Sequence, residues 1–306
     1  MTSLDARRVC VLPGGYLDEN GVLHRDAELA PLTGHEEELL AETGGAVSMP
    51  ELVTAILCRC VRRIGSIQPV DARVARGLLV ADRQYLLLRL RAATFGDRVE
   101  GTLACPWPQC GSKVDVDFSL DHVPVKRREA LEPVCRVELS RDDDAEGDGE
   151  HEPPRAATFR LPRGSDQEAL AAVLAENPAR ALTALLERCI VGTEGGPEDV
   201  GEWVEGLTPR ARREIEEAML AASPHLDLEM ELVCPECGRA FTAPFDLADF
   251  FFGELRTSRD LLYRQVHYLA YHYHWSEREI LGMTRDKRLS YIEILADEIE
   301  ALNHAV

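Results

Sequence analysis

Four of the nine cysteines stand in short pairs, Cys105 with Cys110 and Cys234 with Cys237. Two thiolates on a tight turn make half of the tetrahedral ligand set that a structural zinc ion takes, so two such pairs would complete one site. Cys234-Pro-Glu-Cys237-Gly238 has a proline to fix the turn and a glycine that permits positive φ after the second ligand. Cys105-Pro-Trp-Pro-Gln-Cys110-Gly111 has the same placement over a longer spacing. The pairs lie far apart in the chain. Closing a loop of about 124 residues costs roughly 4 kcal/mol plus a constant, whereas zinc on four thiolates supplies on the order of 10–16 kcal/mol. A joint site is therefore predicted. Pairs that no longer bind metal, or that form disulfides, are the alternatives. A redox role fits less well, because catalytic C-x-x-C motifs sit at helix N-termini and both pairs here lie between β-prone arms. Four thiolates leave no open position for a catalytic zinc.

The elements that would carry these pairs can be read from periodicity. Residues 98–125 and 225–247 each read as strand, cysteine turn, strand; Val114, Val116 and Phe118 alternate with Asp115 and Asp117. Residues 1–97 read as a β-rich opening segment followed by helices. Capping boxes are expected at Thr33–Glu36 and Ser48–Glu51, a cap at Asp71, and an apolar helix running to Gly96. Residues 134–224 read as two strands, VCRVELS and ATFRLP, and then helices. Expected helix starts there are a box at Ser165–Glu168, Pro178, and Thr208-Pro209. Between the two strands, seven acidic residues among 141–152 predict a disordered loop over 140–157. Residues 248–306 read as a C-terminal helical block, opened by one long helix from about Asp246 to Trp275 and continued by a helix capped at Ser276–Glu279. Helices followed by a cysteine hairpin thus occur twice, with flanking helices that are not clearly alike. The expected fold is α+β, mainly helical, with a small β zinc ribbon formed by the two hairpins.

Other chemistry is sparse. His267, Tyr271 and His274 share one helix face, with His272 nearby; a packing face is the expected role, and a second metal site the sharper one. Cys10, Cys58, Cys60, Cys135 and Cys189 read as buried free thiols. The pairs Gly14-Gly15, Gly44-Gly45 and Gly195-Gly196 read as loop material. No nucleophile elbow, phosphate loop, zinc-protease helix or dinucleotide fingerprint occurs. The formal net charge of −20 opposes nucleic acid and anionic membranes, and no dense Lys/Arg block offsets it. No apolar run is long enough to span a bilayer or act as a secretory signal, so a cytoplasmic location is expected.

Four segments together resemble a known family. They are PLTGHEEELL (31–40), LLVADRQYLLLRLRAATFGDRVEGTLACPWPQCG (78–111), FRLPRGSDQEAL (159–170) and DLLYRQVHYLAYHYHWSEREILGM (260–283). In content and order they resemble the T-even-type phage baseplate hub and baseplate-assembly-chaperone family, found in contractile tails and contractile injection systems. The resemblance implies a non-enzymatic structural or assembly role, with other baseplate or hub proteins as partners. No nucleic acid, membrane or small-molecule substrate is expected as a partner. The family's zinc knuckles carry over onto Cys105, Cys110, Cys234 and Cys237, the first departing from the commoner C-x2-C by two residues that include Trp107. Two other functions compete: a zinc-ribbon protein that binds nucleic acid or acts in transcription, and a metal-dependent hydrolase using His267, His272 and His274.

Overall fold

A computed structural model describes residues 9–43, 47–140, 155–195, 197–255 and 259–304. The fold is α+β, with about half of the residues in helices and the rest of the regular structure in small antiparallel sheets. Of the loop expected to be disordered over 140–157, residues 141–154 lie outside the described residues, while Ala156 and Ala157 belong to a buried strand that pairs on both sides.

The first described elements are β1 (Val9–Leu17) and β2 (Leu23–Leu29), the helices α1 (Gly34–Thr43) and α2 (Met49–Cys60), and β3 (Val61–Ile64). The helices α3 (Ala72–Gly77) and α4 (Val80–Phe95) follow, then a hairpin of β4 (Arg98–Ala104) and β5 (Lys113–Ser119). After a short 3-10 turn (Leu120–His122), β6 (Val125–Lys126) leads to β7 (Cys135–Glu138) and β8 (Ala156–Phe159). The plan then recurs: α5 (Gly164–Glu176), α6 (Pro178–Cys189), β9 (Ile190–Glu194), α7 (Val200–Glu205) and α8 (Pro209–Ala222). β10 (His225–Leu226) pairs with β6 and leads into a second hairpin, β11 (Glu229–Val233) and β12 (Ala240–Pro244). Four helices end the chain: α9 (Leu247–Leu255), α10 (Arg259–Tyr273), α11 (Glu277–Leu281) and α12 (Arg285–His304).

The recurrence holds at the level of single bonds. Each repeat has a three-stranded antiparallel sheet, ordered β1-β2-β3 or β7-β8-β9. In each, the second helix of a pair runs straight into the third strand. Ala30 donates its N–H to the Cys60 carbonyl, and Arg160 does so to that of Cys189. Arg83 donates to Thr54 Oγ1 and the Ala75 carbonyl, while Arg212 donates to Thr183 Oγ1 and the Val204 carbonyl. Ala30 and Arg160 are 130 residues apart, and the other pairs correspond at an offset of 129, which is also the separation of Cys105 from Cys234. The flanking helices, which looked unlike in sequence, are therefore structural equivalents.

A helix–glycine–helix corner sits inside this plan: Gly77-Leu-Leu-Val-Ala-Asp-Arg83 and Gly206-Leu-Thr-Pro-Arg-Ala-Arg212, with a third copy in Gly282-Met-Thr-Arg-Asp-Lys-Arg288. Two of the corners close the start of a helix pair elsewhere in the molecule. Gly164 donates to the Leu78 carbonyl, and a Cβ there would collide with the Arg83 guanidinium. Gly34 donates to the Met283 carbonyl, and a Cβ there would lie 3.0 Å from Arg288 Nη1. Only glycine lets the arginines pack this closely. The first repeat's corner thus docks on the second repeat, and the C-terminal corner docks on the first.

Most predicted helix starts are found. Ser48 and Glu51, and Ser276 and Glu279, form capping boxes; the Thr33 N–H donates to Glu36; Asp71 caps α3. The expected box at Ser165–Glu168 is displaced by two residues. The helix starts at Gly164, the Arg163 N–H donates to Asp166, and Glu168 instead pairs with Arg76 at 2.6 Å. Docking of the first repeat's corner sets that start, overriding the local cap. Gly14 and Gly15 are not loop: they lie within β1, where both amides donate to the buried Asp82 carboxylate at 2.8 and 3.0 Å. Gly44-Gly45 falls outside the described residues, as does Gly196, while Gly195 sits in a bend with φ of 71°. The long helix expected over 246–275 is described as α9 and α10, with the join outside the described residues. α9 places Leu247, Phe251, Phe252 and Leu255 in the core of the first repeat. α10, α11 and the start of α12 form a smaller cluster around Leu262, Leu269 and Ile280.

Candidate metal centre

The two hairpins stand side by side as separate two-stranded sheets. At their bases the β6–β10 ladder joins the chain leaving the first to the chain entering the second. Also near the bases, Phe118 of the first meets Phe245 of the second edge-on, ring centroids 5.2 Å apart. At the tips the four cysteines converge, their sulfurs all within 4.8 Å of one another. Cys105 Sγ lies 3.8 Å from Cys237 Sγ, and Cys110 Sγ lies 3.7 Å from Cys234 Sγ, so both of these close contacts cross between repeats. Neither distance approaches the roughly 2.05 Å of a disulfide.

Each turn is held by its own backbone. Cys105 donates its N–H to the Ser112 carbonyl, and Cys234 does so to that of Arg239. Gly111 and Gly238 have φ of 61° and 67°. Nothing would obstruct a Cβ at either glycine, so backbone conformation alone requires them, as the spacing predicted. Cys105, Val114 and Cys234 are buried together, with Cys110, Cys237 and Phe241 against them. Burial pushes the Cys105 thiol up to about 12, and hydrogen bonding from Ser112 brings Cys110 down to about 6. Trp107, one of the two additional residues in the first knuckle, has the Arg239 guanidinium 5.3 Å from its ring centroid. The longer turn therefore gives a contact to the opposite knuckle and leaves the sulfur arrangement intact.

The remaining predicted residues do other things. His267, Tyr271, His272 and His274 are exposed and belong to no cluster of ligating groups among the described residues. The expected packing role falls instead to Tyr273 and Trp275, stacked at 4.6 Å with Tyr291 edge-on to both. Cys10, Cys60 and Cys189 are buried and Cys58 and Cys135 half-buried; burial raises all five thiols, Cys10 and Cys189 up to about 11. The corner arginines Arg83, Arg212 and Arg288 went unnoticed in the sequence. Their signal was the recurrence of Gly, two residues and then Arg four further on, with the first two copies 129 residues apart as Cys105 and Cys234 are.

The molecule is thus an α+β protein built from two copies of one plan, whose hairpins bring together four thiols that can hold a metal ion. It belongs to the T4 bacteriophage base plate protein family, whose match spans residues 21–252 and so takes in both helix pairs and both cysteine hairpins. No curated protein and no solved structure matches the chain. No described helix is long and apolar enough to cross a membrane.

Proposed function

We propose that this protein is a non-enzymatic structural or assembly component of the baseplate of a contractile, phage-tail-like particle, and that Cys105, Cys110, Cys234 and Cys237 hold one structural Zn2+. The sulfur arrangement carries the metal assignment. A Zn–S bond of about 2.3 Å sets the sulfurs of a tetrahedral site about 3.8 Å apart, and the two cross-repeat contacts measure 3.7 and 3.8 Å. With four thiolates the ion would be saturated, so it would fix how the repeats sit and offer no position for substrate. Membership of the base plate family carries the assembly role. The resemblance to hub-assembly chaperones makes a helper of hub construction the finer reading, working in the cytoplasm beside other baseplate or hub proteins.

Two measurements test this. Elemental analysis of freshly purified protein should find one zinc per chain; iron, or no transition metal, would overturn the metal assignment. Deleting the gene from a contractile-particle cluster should leave tubes and sheaths without completed baseplates, restored by the intact gene. Normal particles in the deletion strain would reject the assembly role. Finding the protein in finished particles would identify a component, and its absence from them a chaperone. The zinc-ribbon nucleic-acid reading gains nothing from a net charge of −20.

A further inference from the structure

The two repeats differ in one large respect. In the first, α9 packs against α4 and meets the docked corner at the start of α12. The core that holds Leu247, Phe251, Phe252 and Leu255 also takes in Leu40, Met49 and Leu52. Arg91 pairs with the Glu254 carboxylate at 2.7 Å, and Arg285 donates to the Glu254 carbonyl at 3.0 Å. In the second repeat the corresponding walls are α5–α6, the docked corner at the start of α4, and the end of α8, and the lining is completed by Met49, Pro50 and Val53 of α2 and Ala248 of α9. They enclose an apolar groove of about 1230 Å3.

The side chains around the groove support the equivalence. Leu185 corresponds to the buried Ile56, and Leu182 to the buried Val53, at the 129-residue offset. Leu182 is nonetheless 39% exposed, and Leu174 and Leu220 are 56% and 60% exposed. These large apolar side chains face the groove with nothing over them among the described residues. The helix that would cover them by symmetry is missing for a local reason. After the second hairpin the chain forms α9. After the first it makes only the three-residue turn Leu120–His122 and then enters β6.

We propose that the groove of the second repeat takes a short amphipathic helix from another baseplate protein, seated as α9 is seated in the first repeat. The walls also state its chemistry. Arg91 and Arg285, which hold Glu254 in the first repeat, correspond to Leu220 and Val80 in the second. The incoming helix therefore carries an apolar residue where α9 carries a glutamate, because a carboxylate there would be desolvated without a partner. That the helix comes from a baseplate protein rests on the function proposed above; the groove and its preference for a helix do not.

A fluorescein-labelled peptide spanning Asp246–Leu255, with flanking lysines and Glu254→Leu, would serve as the probe. Anisotropy with the full-length protein should show saturable binding. The same peptide with Glu254 retained should bind about tenfold or more weakly. Leu182→Glu and Leu220→Glu lie at exposed positions, so melting should show folded chains, and each should weaken binding of the leucine peptide about tenfold or more. The inference is overturned by absence of binding, by binding indifferent to both substitutions, or by equal affinity for the two peptides. It is also overturned if native mass spectrometry finds an acyl lipid retained in the groove that the peptide does not displace. Particle assembly separates the two readings. If Leu182→Glu abolishes peptide binding yet restores particles fully in the deletion strain, the partner helix is rejected while the assembly role stands. If the intact chain binds the peptide but never supports particles, the assembly role fails and the groove survives.

Discussion

The two repeats share strands, helix pairs, corners and hairpins, yet each is completed by different material. The first has its helix pair closed by the corner at Gly282–Arg288 and its apolar face covered by α9. The second has its helix pair closed by the first repeat's own corner, and among the described residues its apolar face is open. Equivalent backbones thus offer equivalent docking sites, and what occupies each site is decided by a few side chains at the contact. The charges at the two closures diverge as well. Arg288 is buried against the Glu37 carboxylate at 2.8 Å, whereas Arg83 is buried against Thr54 Oγ1 and the carbonyls of Pro50 and Ala75.

The largest expected effect tests what the repeats have in common. Replacing Cys234 and Cys237 by serine should remove the metal and lower the melting temperature by about 10 °C or more, since structural zinc contributes several kcal/mol to folding. Replacing Cys105 and Cys110 should do the same, because both close sulfur contacts cross between repeats. Calorimetry with and without a chelator checks both. A double variant that melts like the parent would show that the thiols do not act as a staple, and unequal losses would show that one hairpin holds the ion alone.

The next effect separates the two closures. Arg288→Ala leaves the Glu37 carboxylate buried and unpaired, which should cost about 3–5 kcal/mol. Arg83→Ala removes a cation whose own burial already pulls its pKa down to about 10. It leaves only neutral acceptors at bonding distance, so its cost should be about 1–3 kcal/mol. Denaturant midpoints of the two variants give the order directly. If Arg83→Ala proves the more damaging, the ion pair is not what distinguishes the first repeat's closure.

Much of this was legible in the sequence because local chemistry fixed it. The cysteine pairs, their turn glycines and the alternating arms announced the hairpins, and the caps at Ser48, Asp71, Thr208 and Ser276 sit where short-range pattern put them. The duplication was read only from the cysteine hairpins, although Thr54 and Thr183, Gly77 and Gly206, and Arg83 and Arg212 repeat at the same offset. Many other equivalent residues differ in type, as Arg91 and Leu220 do, since each copy packs against something different. The start of α5 was misread for a related reason. Ser165–Glu168 has the right local spacing, but the docked corner requires a glycine at 164, and Glu168 is drawn to Arg76 and Thr54. The open groove could not be read at all, because an apolar stripe looks the same whether or not a helix lies across it.

The smallest effect concerns the first turn of each helix pair, where Asp166 corresponds to Glu36. Glu36 accepts from the Thr33 amide and hydroxyl, and its nearest arginine, Arg59, is 3.9 Å away. Asp166 is fully buried, accepts two bonds from Arg160 and one each from Arg188 and the Arg163 amide, and lies at 2.7–2.9 Å from all of them. Desolvation works against its charge, but the arginines and the amide prevail and hold its pKa below the usual carboxylate value. A depressed pKa contributes stability that is complete above the unfolded-state value and is lost as pH falls through the folded one. Asp166→Asn should therefore cost about 2 kcal/mol at neutral pH. The gap between parent and variant should stay constant down to about pH 5 and shrink below about pH 4. Glu36→Gln should show a smaller gap, since its charge-assisted partner is more distant. Urea titrations of both variants across this range would measure the two gaps; a gap for Asp166→Asn that does not shrink in acid would mean that shape, and not charge, holds the second repeat's corner.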